Sequence, residues 1–530
     1  MVLDILPKLQ TRLRSLQLLI PAPLLVAYYL GLPLKLIVGI SFVTVGIVLY
    51  RKPSDSTAGN TSVRSLLCLL SLYPIVVFLV QVSRWHNGTQ GVDFAIFSQV
   101  VHNFSSKNEL QTSLIDGQWH HFLTHHFSPY LYVVGFIDKV FNNPELLLLA
   151  LHSLTITSIV SMIFLIAFNL SRDIRVAALL ATLSILLPAP RIGLLWEVRD
   201  EIFALPFLLA AFLFFLRGEH MRAVICLVAT MFFKETLLVA STSFCIMALA
   251  ISYLNDAPNQ RRTRLLYGGC FLFGCAGFLL YTKVLPGWLF WSTFNPLSRV
   301  STISQLLDPN LLRAKIWWLT TIIAPITPLL LLAFVKARSS TVRDYREYLV
   351  RPLLFLLPAA PFVGMILVSN SDGMSNPYNY YSILPALLIT VGIFTSLRTV
   401  STELKLVALL FCCLIASFIG PRIRIPKEIK TALMQESPVQ RLRQIIPPTA
   451  VVLTGDWDAA LFIRQRQVMR LYHANKNIMR FDFIVLRKTS PSNSSVIRLS
   501  KYLLAWSEPC YEDEVWLVRC AFNSAKPRAR

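Results

Sequence analysis

The chain has no CxxC pair, no internal repeat of fixed period and no low-complexity tract. The first absence removes zinc knuckles and thioredoxin-like motifs. The second weighs against a transporter assembled from inverted repeats. Basic residues and then an apolar run open the chain, but no small-residue cleavage site follows, so this stretch is read as mature sequence. Acids are scarce: 28 Asp and Glu stand against 50 Lys and Arg, a net charge of +22. The basic residues punctuate apolar segments and form no phosphate-tracking stripe. They predict cytoplasmic loops near anionic lipid, and no nucleic-acid partner is expected.

What the chain has in excess is apolar sequence. Hydrophobic residues make up 55% of 530, and the mean hydropathy is +0.58. Runs long enough to cross a bilayer recur along most of its length, about thirteen in all. If the N-terminus is cytoplasmic, the loops at 51–64, 171–175, 217–222, 255–264, 336–351 and 398–405 are inside, and each carries Lys or Arg. That alternation follows the positive-inside rule. The outer loops are then 83–144, 191–201, 286–313 and 370–378. The piece at 128–141 contains Asp138 and Lys139 and is expected to lie along or dip into the surface rather than cross. Seven of the nine cysteines lie in apolar runs and read as packing residues.

The predicted organisation is an N-terminal hairpin and loop (1–64), a membrane domain (65–420) and a small outer α/β domain (421–530). In the last of these, apolar alternation predicts strands at 450–454, 467–472, 481–487 and 514–519, and a helix at about 457–465. Cys510 and Cys520 flank the last strand and would close as a disulfide in an oxidising compartment.

The stretch 91–129 stands out between apolar segments. Six of nine histidines fall between His86 and His126. Asp93 opens a predicted amphipathic helix on which Phe94, Phe97 and Val101 recur at helical spacing. A carboxylate at the mouth of a membrane bundle is costly without a task. Further polar groups fall on the same predicted face: Arg191, Glu197, Arg199, Asp200 and Glu201, then Lys234 and Glu235, then Tyr378, Asn379, Tyr380 and Tyr381. A carboxylate can take the proton of an acceptor hydroxyl, Lys or Arg can hold a departing phosphate, and aromatics can stack on sugars. Each group also has a plainer reading. Asp93 suits a helix cap, 197–200 a solvated salt-bridge cluster, Lys234–Glu235 a pair at a helix end, and the tyrosines an interfacial belt. Asp456 and Asp458 resemble a DxD pair, but Asp456 reads foremost as a cap. His121 and His125 would share one helical face and could take a divalent metal with Asp116 or Asp93, although surface hydrogen bonding or substrate contact is the commoner role of such histidines.

The order GVDFAIFSQVVHN, HHFSPYLYVV, WEVRDEIFALP, KET, NPYNYYSILPALL and IPPTAVVLTGD resembles an uncharacterised bacterial family of multi-spanning membrane proteins, a domain of unknown function, over about 65–490. That family is similar to the GT-C glycosyltransferases. The resemblance implies a sugar transferase of the bacterial inner membrane, using a polyprenyl-phosphate donor, with its C-terminal domain extracytoplasmic. Asp93 would be the base. Glu197, Asp200 or Glu201 would be the second-loop acid, Arg191, Arg199 or Lys234 the phosphate cation, and Gln99, His125, His126, Glu235 and the 378–381 group substrate contacts. Where the family carries a histidine-acid pair, this chain has Val198-Arg199-Asp200-Glu201. A transporter or flippase, or a non-catalytic scaffold, are the rival readings.

Overall fold

The computed structural model describes residues 57–86, 90–280, 308–338, 350–369, 380–419, 445–470, 481–487 and 507–521, apart from a few positions within these ranges, together with the single residues Asn376 and Leu442. The expected hairpin before residue 51 lies outside the described residues, as do Asp116, His125, Glu197, Tyr378, Asn379, Asp456, Asp458 and most of the expected helix at 457–465. The described chain forms two compact units. The first takes residues up to Val77, Ser153–Leu195 and Asp200–Pro426; the second takes Phe78–His152, Trp196–Arg199 and residues from Lys427 onward. The segment Phe78–His152 therefore groups with the C-terminal tail, across the boundaries expected from the sequence.

Helices dominate. They are α1 (Thr57–His86), α2 (Val92–Lys107), α3 (Tyr130–Phe141), α4 (Pro144–Ser171), α5 (Ile174–Leu186), α6 (Pro188–Trp196), α7 (Asp200–Leu216), α8 (His220–Met231), α9 (Glu235–Leu254), α10 (Gln260–Leu279), α11 (Pro309–Ile323), α12 (Thr327–Arg338), α13 (Ala360–Val368), α14 (Ile383–Ser396) and α15 (Thr402–Phe418). Among the described residues, three helices are long and apolar enough to cross a membrane: α4, α9 and the nearly continuous Pro309–Lys336. The bent pair α5–α6 makes a fourth if it counts as one span. That is fewer than the count expected from hydropathy. The two spans expected before residue 51 lie outside the described residues, and some described helices are short: α8, with 12 residues, rises only about 18 Å against the ~30 Å hydrocarbon core.

In the first unit, α5 and α14 are buried on every face, from Val176 to Leu186 and from Ile383 to Thr395. Apolar composition all round suits such central positions. Peripheral helices keep large apolar groups exposed, among them Leu265, Leu272 and Phe273 on α10 and Leu331, Phe334 and Val335 on α12. Such surfaces are unfavourable in water and tolerated against lipid. Gly274 lets α10 approach α9 closely, since a Cβ there would sit 2.5 Å from Thr242 Oγ1. One expectation is corrected here. Residues 191–196, expected as irregular loop, are helical, because Pro188 starts a new helix after a 64° bend from α5. Proline lacks the N–H that continuation would need, yet suits the first turn of the next helix.

The second unit holds α2, α3 and two small sheets. Asn108 ends α2 in the left-handed region at φ 61°, with its N–H on the Phe104 carbonyl. α3 packs on α2 and leaves Val133, Phe136, Val140 and Phe141 exposed. This one-sided apolar helix fits the expectation of a surface-lying piece. Strands β1 (Gln111–Thr112) and β2 (His120–His121) pair antiparallel. The tail sheet has the order β4-β3-β5-β7-β6, with β3 (Val451–Thr454) parallel to β4 (Gln467–Arg470) and β5 (Phe483–Arg487). β7 (Trp516–Ala521) runs antiparallel to β5 and to β6 (Ser507–Glu512). Cys510 and Cys520 are joined, with Cα atoms 5.8 Å apart. Strand β6 was not expected from the sequence, because Pro509 argues against a strand. It is tolerated at the sheet edge, beside a register shift at Pro509/Tyr511.

Candidate functional site

Asp93 lies in the first turn of α2. Gly91 is the N-cap and makes no side-chain bond, so the cap reading of Asp93 does not hold. The helix dipole favours an acid there. Its carboxylate forms an ion pair with Arg199, from the short connector between α6 and α7. The two side chains are 27% and 11% exposed. Such a pair is screened less than a surface pair, yet its carboxylate remains reachable. The helix that carries the acid is fixed by burial of every residue from Phe94 to Val101, with the Phe97 ring edge-on to Phe122 at 5.8 Å.

Gln99 is wholly buried. It donates to Ser113 Oγ at 3.2 Å, and it accepts from Thr112 Oγ1 at 2.7 Å and from the Ser113 N–H at 2.9 Å. Ser113 Oγ in turn donates to the Val468 carbonyl at 2.8 Å. Because β4 is an edge strand, this side chain covers backbone that would otherwise be unpaired. Gln99 is thus a brace between α2, the segment that follows it and the tail sheet. The helix expected for HHFLTHH is corrected: His120 and His121 are in β2, and Phe122–Thr124 form a 3-10 turn. Burial holds His121 below the ordinary histidine value, partly opposed by Glu109. His126 is half-buried, with its ring 6.1 Å from that of Phe122. Among the described residues, no three His, Cys, Asp or Glu side chains come together as a metal cluster.

A second charged group belongs to the first unit. Helix α8 returns the chain, so α7 and α9 start at the same end. Asp200, Glu201 and Glu235 occupy their first turns, and Lys234 precedes α9. All four are buried. Lys234 Nζ donates to Glu201 Oε1 at 2.6 Å. Glu201 Oε2 has no hydrogen-bond partner among the described residues. Burial pulls the Lys234 pKa down, but Glu201, Asp200 and Glu235, with Tyr381 adding less, outweigh it and hold the ammonium above the ordinary lysine value. Arg191 is buried and donates to the carbonyls of Ala416 and Ile419, at the end of α15.

Lys315 was not singled out from the sequence. It is buried in α11, and its Nζ has no hydrogen-bond partner among the described residues. One turn on, Trp318 Nε1 donates to Ser382 Oγ at 2.7 Å, and Ser382 neighbours Tyr381. The available signal was an ionisable residue at the start of an apolar span, which is a functional marker by default.

The family model described as "Predicted membrane protein (DUF2079)" matches residues 88–504. The chain belongs to this family. No curated protein sequence matches this DUF2079 member. Its fold is similar to that of ArnT from Cupriavidus metallidurans bound to undecaprenyl phosphate, with TM-score 0.54 and 10% identity over 87% of this chain and 99% of that one. The apo form of the same protein gives TM-score 0.50 at 10% identity, over 86% and 97%. Arabinofuranosyltransferase AftD from mycobacteria is similar at TM-score 0.45 and 12% identity, over 86% of this chain and 40% of that one. The family is one of predicted membrane proteins, and the likeness to ArnT, at 10% identity, shows a shared fold.

Proposed function

We propose that this protein transfers a sugar from a polyprenyl-phosphate donor to an acceptor at the extracytoplasmic face of the bacterial inner membrane. The observation that carries the reading is the Asp93–Arg199 pair, which joins α2 to the connector before α7. Undecaprenyl phosphate bound to ArnT, a protein of similar fold, supports the donor class. In the proposed step Asp93 accepts the proton of the acceptor hydroxyl, whose oxygen attacks the anomeric carbon. The bond from that carbon to the phosphate oxygen breaks, and its electron pair stays on the phosphate. Arg199 orients the carboxylate, and Gln99 is a positioning residue through Ser113.

A cation must meet the departing phosphate. Lys234 stands among three carboxylates, which disfavours a further anion beside it, and Arg191 is engaged with two carbonyls. Arg199, which stands beside Asp93 in the same unit, is the cation this reading uses. Acids on helix first turns, rather than at mid-helix, favour this reading over a transporter.

The test is incubation of purified protein with a panel of polyprenyl-phosphate sugars. Asp93→Asn should abolish donor loss, a fall of at least about 10²-fold for a missing general base, while membrane insertion stays intact. Full activity in that variant removes the assignment.

A further inference from the structure

The end of the first unit away from the acid cluster holds a cleft of about 450 Å³, lined by Asn169, Leu170, Arg172, Leu216, Arg217, Glu219 and Arg398. Its position follows from connectivity. Helix α7 begins at Asp200 and has 17 residues, so its far end lies about 25 Å from the Lys234 cluster. Arg172 follows the end of α4, Arg217 the end of α7 and Arg398 the end of α14. All three arginines come from loops that the charge alternation places in the cytoplasm.

Arginines at helix ends commonly serve only to offset the dipole. The hydrogen bonds at these ends do not use their guanidiniums. The last carbonyls accept from backbone, with Arg172 N on Phe168 at 2.8 Å, Arg217 N on Leu213 at 3.1 Å and Arg398 N on Thr395 at 3.3 Å. Among the described residues, none of the three guanidiniums is paired with a carboxylate. The one acid of the lining, Glu219, is paired with Arg222 outside it. Arg172 also holds the left-handed region at φ 55°, a helix-ending position that usually falls to glycine. Keeping a side chain there carries strain that suits a function for it. Three mutually repelling cations around one open cleft call for an anion, and the planar fork of arginine matches phosphate oxygens.

We propose that this cleft binds a phosphate group, supplied either by an anionic phospholipid headgroup or by a soluble phosphate. The site holds whatever reaction the opposite face performs. The test uses the full-length protein in phosphatidylcholine nanodiscs. One arm adds phosphatidylglycerol and measures its retention per protein by mass spectrometry. The other titrates inorganic phosphate and pyrophosphate and follows thermal stability. The pocket variant is R172Q/R217Q/R398Q; a control, R261Q/R262Q/K336Q, removes equal charge from other inner loops. The expected result is saturable binding of one probe class, weakened about tenfold or more in the pocket variant and unchanged in the control. The responding arm identifies the source. Equal loss in both variants means bulk charge alone and overturns the site, as does no loss in either. If the triple variant fails to fold, R217Q/R398Q is read the same way.

Discussion

Replacing Lys234 with methionine tests whether the buried charges of the first unit are held as described. The substitution nearly conserves volume, so its effect is electrostatic. It leaves Glu201, 10% exposed at its side chain, without its partner, and leaves Asp200 and Glu235 with no nearby ammonium. Removing one member of a buried pair costs about 3–5 kcal/mol. The upper end is expected, because at an effective dielectric of about 20 each charge pair near 4 Å contributes roughly 4 kcal/mol, and Lys234 is attracted by three carboxylates. Glu201→Gln is milder. It keeps an oxygen for Nζ and lowers the acid excess, so a loss of about 1–2 kcal/mol is expected. The double variant should recover about 1–3 kcal/mol relative to Lys234→Met alone. Thermal midpoints of detergent-purified protein, followed by size-exclusion chromatography and combined in a double-mutant cycle, measure all three. If Lys234→Met melts with the wild type, or Glu201→Gln costs more than Lys234→Met, the acids do not hold Lys234 and the reasoning is wrong.

Gly135→Ala should destabilise the second unit by about 1–3 kcal/mol, because the new Cβ would collide with the Phe104 ring. Phe104→Leu in the same chain should restore part of the loss in a thermal melt. His121 carries a pH effect of defined sign. Its folded form is held below 6.5 by burial, so the unfolded chain takes up a proton first as pH falls. Its contribution to stability is complete above 6.5 and falls away below it, and melting curves of His121→Gln from neutral to acid pH should show a flatter slope than wild type. The Cys510–Cys520 bond closes a short loop, with a sequence separation of 10. Cys520→Ser should therefore lower the stability of the tail sheet by about 2–3 kcal/mol, read as faster proteolysis of that segment.

Much of the architecture was legible because hydrophobic periodicity reports burial directly. Phe94, Phe97 and Val101 marked buried positions of α2, and the tail alternation gave β3, β4, β5 and β7 to within a few residues. What the sequence concealed depended on partners far along the chain. Edge strand β6 reads as a loop until β7 is beside it. Gln99 reads as a substrate contact until Ser113 and Val468 are placed. Arg191 reads as a loop cation until Pro188 turns its surroundings into a buried helix.

The acids show why position alone leaves function open. Asp93, Asp200, Glu201 and Glu235 all stand in helix first turns, where the dipole stabilises a carboxylate whether it caps, pairs or reacts. In sequence the four are equivalent; their surroundings separate them. Asp200, Glu201 and Glu235 are buried around a lysine, an arrangement that fixes two helix starts together and leaves little access for a hydroxyl. Asp93 is the acid that stays part-exposed, 27% at its side chain, while an arginine holds it. A general base has to be both oriented and reachable. Asp93 meets both conditions, so the proposed catalytic role rests on it, and the burial of Asp200 and Glu201 around Lys234 suits them to holding the starts of α7 and α9.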